Sequence, residues 1–301
     1  MRASKLPNQG LSIFTVMSAL AAKHNAINLS QGFPEFNPPD DLIRKVNESL
    51  LSGRNQYSPM AGQLSLREVI AERQNAWGRS FEINPDTDIT IVPGATAGLF
   101  ATFQALVQQG EEVIIFDPSY DSYAPAIVLA GGIPIRIPLN QDFSLPWEHL
   151  KSKLSNRTVM IVVNTPHNPL GLVFSQADWL ELAQIIQNTD ILVLSDEVYE
   201  HMVFDEKQHV SVLQIPALAD RAVAISSFGK TFHATGWKLG YVTAKAELSA
   251  EIRKVYQFLA FAANTPMQFA AAEFLMQNPE YETSVSEIMQ SKRNFFADGL
   301  S

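Results

Sequence analysis

The sequence predicts an α/β domain built on a mainly parallel central sheet with helices on both faces. Three observations carry this. Short apolar runs rich in β-branched residues alternate with stretches of helical period through most of the chain. The runs are apolar almost throughout, as strands covered on both sides must be. Each unusual polar cluster follows directly on such a run, at the carboxyl end of a strand, where sheets of this type bind ligands.

In chain order, residues 1–44 read as an N-terminal arm. Arg2 and Lys5 ahead of the apolar stretch 11–22 imitate a secretory leader, but Pro7, Asn8, Gln9 and Gly10 interrupt it. Ile13, Val16, Met17 and Leu20 recur at helical spacing behind Ser12, which predicts a capped amphipathic helix. A large domain is expected over 45–278. Its strands fall at 89–92, 113–116, 133–137, 159–163, 191–194, 222–225 and 239–242, with helices after Gly94, after Tyr120 and from Ser175. Beyond Glu247 the pattern is wholly helical. The run 279–301 reads as the start of a connecting helix whose period is unfinished at the last residue, so it is expected to lead into a further, C-terminal small domain.

Composition narrows the function. The 301 residues include 22 basic and 31 acidic side chains, a formal charge of −9, with no basic run, which argues against nucleic acid as a partner. The absence of cysteine excludes disulfides, thiolate metal sites and a cysteine nucleophile. No stretch has the ~18 consecutive apolar residues of a membrane span, and a cytoplasmic enzyme is expected. The histidines, His24, His149, His167, His201, His209 and His233, never fall at metal-ligand spacing on one element, so no metal is expected.

The chemistry is concentrated in Ser226-Ser227-Phe228-Gly229-Lys230-Thr231 and the phrase 233–241 that follows. Lys230 stands in a Ser/Gly-rich turn just past a strand. Such a lysine is commonly a solvated loop residue, but as an imine-forming amine it would need burial and a nearby cation to shed its proton, and Lys238 is a candidate for that cation. Ser227 and Lys238 can hold a phosphate, which together with the amine suggests an aldehyde cofactor carrying one. Asp196, at the end of 191–194, is either a turn aspartate satisfied by local amides or a carboxylate paired with a protonated pyridine nitrogen. Tyr199 could reach the phenolic oxygen of the same ring. Asn168 could donate to that oxygen too, although Asn-Pro also simply starts turns. Gly94, Ala95 and Thr96 open a helix directly after a strand, a ready phosphate cradle that is weak by itself. Tyr120 could stack on a flat heterocycle. Tyr57 reads as a loop residue packed beneath its own hydroxyl.

Taken together, Asn168, Asp196, Tyr199, Ser227, Lys230 and Lys238 in that order resemble the fold-type I aminotransferases of class I/II, which use pyridoxal 5′-phosphate. The likeness runs from about residue 28 to the C-terminus. Within that family, the loop from Gln31 and the phrase 227–241 look most like the kynurenine, glutamine transaminase K and methionine aminotransferase branch, where lysine at the Lys238 position is usual although many other members carry arginine. The resemblance implies that Lys230 is the Schiff-base lysine and proton carrier, that Asp196 binds the pyridine nitrogen, and that Asn168 and Tyr199 bind the phenolate oxygen. It assigns Gly94, Ala95, Thr96, Ser227 and Lys238 to the phosphate, and Tyr120 to the ring face. It further implies a homodimer in which Tyr57 reaches the neighbouring subunit's cofactor phosphate. Gly32, Phe33 and Asn168 would line the substrate, an L-amino acid with a large uncharged side chain, exchanged with a 2-oxo acid. The family's substrate-carboxylate arginine comes from the small domain and has no counterpart before Ser301. The rival readings are a cysteine-conjugate β-lyase on the same scaffold and a non-catalytic cofactor-binding protein.

Overall fold

The computed structural model describes residues 2–7, 9–32 and 36–300. Its first half comprises α1 (Ile13–His24), α2 (Asp40–Leu51), α3 (Leu64–Ala76), β1 (Ile89–Val92), α4 (Ala95–Leu106), β2 (Glu112–Asp117), α5 (Tyr123–Leu129), β3 (Ile133–Pro138), α6 (Trp147–Lys153) and β4 (Thr158–Asn164). The second half comprises α7 (Gln176–Ile186), β5 (Leu192–Asp196), α8 (Pro216–Ala219), β6 (Ala222–Ser227), α9 (Phe228–Thr231), β7 (Gly240–Ala244), α10 (Ala246–Leu259), α11 (Thr265–Gln277) and α12 (Tyr281–Asp298). Each expected strand is present.

The strands form one seven-stranded sheet in the order β1-β7-β6-β5-β4-β2-β3. Pairs from β3 through β6 are parallel, whereas β7 runs antiparallel to both β6 and β1. It follows that β1, β2, β4, β5 and β6 all end at one edge of the sheet, and β7 begins there. The period of two along each strand divides the core into two layers. On one face Ile114, Phe116, Ile161, Val163 and Val193 pack with Leu42, Leu66, Trp179 and Phe274. On the other, Val113, Ile115, Met160, Val162 and Leu194 pack with Leu99, Phe103, Tyr123, Ile252 and Tyr256.

Local sequence explains how the helices begin and end. Ser175 caps α7 in a reciprocal capping box with Asp178, and Asn264 caps α11 ahead of Pro266. Two expectations need amendment. The strand β3 is not buried on both faces, because it is the sheet's edge. Pro134 and Pro138 suit that position, and Arg136 pairs there with Asp117 at 2.8 Å. Helix α1 forms as expected behind Ser12, whose hydroxyl accepts from the Phe14 amide, yet Ile13, Val16, Met17 and Leu20 all remain exposed. Among the described residues, no helix is long and apolar enough to cross a membrane.

Candidate active site

The site is assembled at the shared carboxyl edge of the sheet. Register does the first part of the work, since Asn164 stands beside Asp196, Asp196 beside Ile225, and Ser227 beside Gly240, which also pairs with Val92. Four strand ends therefore bring Asn168, Asp196, Lys230 and Gly94 to one region, although they lie far apart in sequence.

Lys230 sits on the short helix α9 with its Nζ 5.3 Å from the centre of the Tyr199 ring. Burial lowers its pKa below the ordinary lysine value, the Asp196 carboxylate opposes that, and the Lys238 charge reinforces it. Lys230 is half-buried, with Lys238 the neighbouring cation. Asp196 is 3% exposed. Its Oδ1 accepts from the Val198 amide at 3.3 Å and its Oδ2 from the Tyr123 hydroxyl at 2.6 Å. Burial nonetheless pushes its pKa up to about 6, outweighing those bonds. Tyr199 is pushed up to about 12 by burial and by Asp196, so it keeps its proton and remains a donor.

Lys238 adopts the left-handed conformation, with φ 53°, and lies against the turn that opens α4. A methyl group on Gly94, itself at φ +84°, would come within 3.0 Å of Lys238 Nζ. One on Gly240 would come within 2.6 Å of the Ser226 carbonyl and 3.1 Å of the Ala95 amide. Glycine is required at both positions, and the result is an ammonium held beside the free amides of a helix N-terminus. Thr96 and Tyr120 join it through hydroxyls 3.4 Å apart. A small anion with a flat ring attached fits this donor set, with the cation and helix amides at one end and the Asp196 carboxylate at the other.

Asn168 is held through its backbone, whose amide donates to Asn164 Oδ1 at 2.6 Å, while Asn164 Nδ2 donates to the Asp196 carbonyl at 2.9 Å. Asn164 thereby ties two strand ends together, a role the sequence reading missed; its place as the first polar residue after 159–163 was the available signal. Tyr123 was missed as well, although it lies one helical turn beyond Tyr120.

Phe33 falls outside the described residues, and Gly32 is exposed with open space around it. The loop's far end does approach the site, since the Phe36 ring packs at 4.2 Å on His233, with Lys292 of α12 over its other side at 4.8 Å. Tyr57 is 82% exposed, edge-on to Phe261 at 5.1 Å, so it is not packed beneath its own hydroxyl.

Sequence spacing also missed a cluster that the fold assembles. Glu197, Glu200 and His209 bring ligand-type atoms within 4.8 Å of one another. Glu197 is already satisfied, however. Its Oε1 accepts from Ser195, Ser211 and the Val212 amide, and its Oε2 lies 3.0 Å from His209 Nε2. The cluster fastens the turn after Asp196 to the segment before α8.

The sheet edge thus gathers a half-buried amine, a buried acid at the neighbouring strand end and a cation beside the start of α4. The profile of the family described as aminotransferase class I and II matches residues 24–301, and the chain belongs to that family. It is an aminotransferase. Its sequence is 50% identical to the methionine aminotransferase of Escherichia coli (strain K12), over 99% of this chain and 77% of that protein. It is 36% identical to kynurenine–oxoglutarate transaminase 1 of Rattus norvegicus, over 91% of this chain and 68% of that one. The crystal structure of YbdL from Escherichia coli, described as identifying a methionine aminotransferase function, superposes with a TM-score of 0.97 at 49% identity, covering 100% of this chain and 79% of that one.

Proposed function

We propose that this aminotransferase holds pyridoxal 5′-phosphate between Lys238 and Asp196 and exchanges the amino group of methionine, or of another amino acid with a large uncharged side chain, with a 2-oxo acid. The observation that carries the reading is the strand register, which brings Lys230 to the sheet edge shared with Asp196, an acid that would face the ring nitrogen, and with the Gly94 turn beside Lys238, a cation that would face the phosphate. When bound, the cofactor supplies an aldehyde for covalent linkage and a ring able to accept electrons.

The chain's own residues do the rest. Lys230, its proton loosened by burial and by Lys238, would be the amine that holds the cofactor's aldehyde carbon and, when free, the base for the proton at the substrate Cα. Asp196 keeps the ring nitrogen protonated. Asn168 and Tyr199 donate to the ring oxygen, and Tyr120 covers the ring face. Gly94, Ala95, Thr96, Ser227 and Lys238 hold the phosphate. Gly32, Phe33 and Asn168 border the substrate. Residues 1–44 serve as an arm of the small domain, 45–278 as the cofactor-binding domain and 279–301 as the connecting helix.

The active form is a homodimer in which exposed Tyr57 reaches the partner's phosphate, and the enzyme works in the cytoplasm. The methionine preference is supported by the half-identical Escherichia coli relative, and the wider apolar range by the kynurenine transaminase likeness.

Absorbance of the purified protein with pyridoxal phosphate tests the chemistry. A visible band that methionine bleaches, and that Lys230→Ala cannot form as a protein-linked species, is the expected result. Steady-state rates on a panel of amino acids test the substrate; aspartate or alanine far outpacing methionine and phenylalanine would overturn that part.

A further inference from the structure

Tyr123 is a buried titratable group that the reading above leaves without a task. It opens α5, is 2% exposed, and touches two residues of the proposed site at once. Its hydroxyl donates to Asp196 Oδ2 at 2.6 Å, and its ring meets Tyr120 edge-on at 5.6 Å. We propose that Tyr123 is a positioning residue: its hydroxyl keeps the Asp196 carboxylate ionised and aimed into the site, and its ring braces Tyr120. This rests on the reading of Asp196 as the partner of the cofactor's ring nitrogen.

The alternative is that Asp196 merely satisfies a buried tyrosine hydroxyl. The same core layer argues otherwise, because it also contains Tyr256, whose buried hydroxyl has no hydrogen-bond partner among the described residues. This layer tolerates an unpaired phenol. A buried carboxylate is far more costly than a buried phenol, so the donor serves the acid. Tyr123 is held well above the ordinary tyrosine range by burial and by Asp196, so it stays a donor rather than sharing the charge.

The groups facing Asp196 leave little else to stabilise its charge. Tyr120 and Tyr123 approach from the segment leading into α5, Glu197 and Tyr199 from the end of its own strand, and Lys230 from α9. Glu197 opposes the charge and Lys230 supports it. From β4, Asn164 reaches only the main-chain carbonyl. With Tyr123 silenced, Oδ2 loses its donor and the acid holds its proton to higher pH.

The test compares wild type, Tyr123→Phe and Tyr256→Phe, each loaded with pyridoxal phosphate. Cofactor dissociation constants are measured by absorbance from about pH 5 to about pH 9, alongside kcat and KM for methionine. Tyr123→Phe is expected to weaken cofactor binding about tenfold to a hundredfold at neutral pH, the range for a hydrogen bond to a charged group, and to move the acid-side loss of binding to higher pH. Its kcat should fall while KM stays near wild type, and Tyr256→Phe should match wild type throughout. An unchanged affinity profile in Tyr123→Phe overturns the proposal. If that variant folds poorly, 3-fluorotyrosine installed at position 123, a stronger donor of nearly the same size, should move the acid limb to lower pH; a limb that stays put is equally fatal. Failure of the parent reading looks different, since wild type itself would then form no Lys230-linked band at any pH.

Discussion

The role proposed for Asp196 and the stability of the fold pull in opposite directions. Its folded pKa of about 6 lies above the ordinary 3.8, so the folded state binds more protons than the unfolded one between those values. Stability of the cofactor-free protein therefore falls as pH rises through that window and stays reduced above it, by on the order of 3 kcal/mol. Asp196→Asn keeps an acceptor for Tyr123 and removes the buried charge. We expect its cofactor-free form to melt several degrees higher than wild type at pH 7.5 while transamination is largely lost, measured by differential scanning calorimetry and steady-state kinetics. Under the proposed function Lys238 has two partners, the phosphate and Lys230. Lys238→Ala should weaken cofactor binding about tenfold or more, and it should raise the pKa of Lys230, whose depression it reinforces. The pH dependence of lysine-specific labelling in the cofactor-free protein reads the second effect.

Among the elements, α12 is fastened to the domain at several points, among them Ser286 to the Val203 carbonyl, Arg293 to Asp205, Tyr281 against Phe274, and Arg73. Arg73, near the end of α3, pairs with Glu282 of α12 and donates to the Leu275 carbonyl at 2.7 Å, which also satisfies the end of α11. Burial still raises the Glu282 pKa from its ordinary value despite that pairing. Arg73→Ala leaves the acid buried without its cation, and we expect a loss of about 3 kcal/mol by urea unfolding, with Glu282 taking up a proton in compensation.

His201 lies in the same cluster, its Nε2 3.7 Å from both Glu200 and Glu282. Burial pushes its pKa down to about 4, so between that value and 6.5 only the unfolded chain takes the proton. Stability must fall as pH drops through this window, by on the order of 3 kcal/mol, opposite in sign to the Asp196 contribution. His201→Gln should flatten the acid limb of the melting temperature between pH 6.5 and about 4, measured in parallel with wild type.

At the scale of the whole molecule, the two core layers are complete but the surface is not uniformly polar. The α1 face of Ile13, Val16, Met17 and Leu20 is exposed, as are Tyr57, Phe258 and Phe261. Apolar side chains recurring on one exposed face suit the homodimer proposed above. We expect sedimentation velocity to give a homodimer, and Val16→Glu with Leu20→Glu to shift it toward monomer. Cofactor binding should weaken in step with that shift, because Tyr57 would then lack a neighbouring phosphate.

By itself the sequence determined the strands, the α/β class and the chemical identities of Lys230, Asp196, Asn168 and Lys238, because strand periodicity and the turn residues after each strand are local properties. It also carried the family, through the order of those residues. Tertiary structure alone decided that β7 is antiparallel, that β3 lies at an edge, that Tyr123 serves Asp196 and that Arg73 clamps α12. Each of these depends on which segments become neighbours across the sheet or the core, and a pairing between residues as distant as Tyr123 and Asp196 leaves no periodic mark on either stretch of chain.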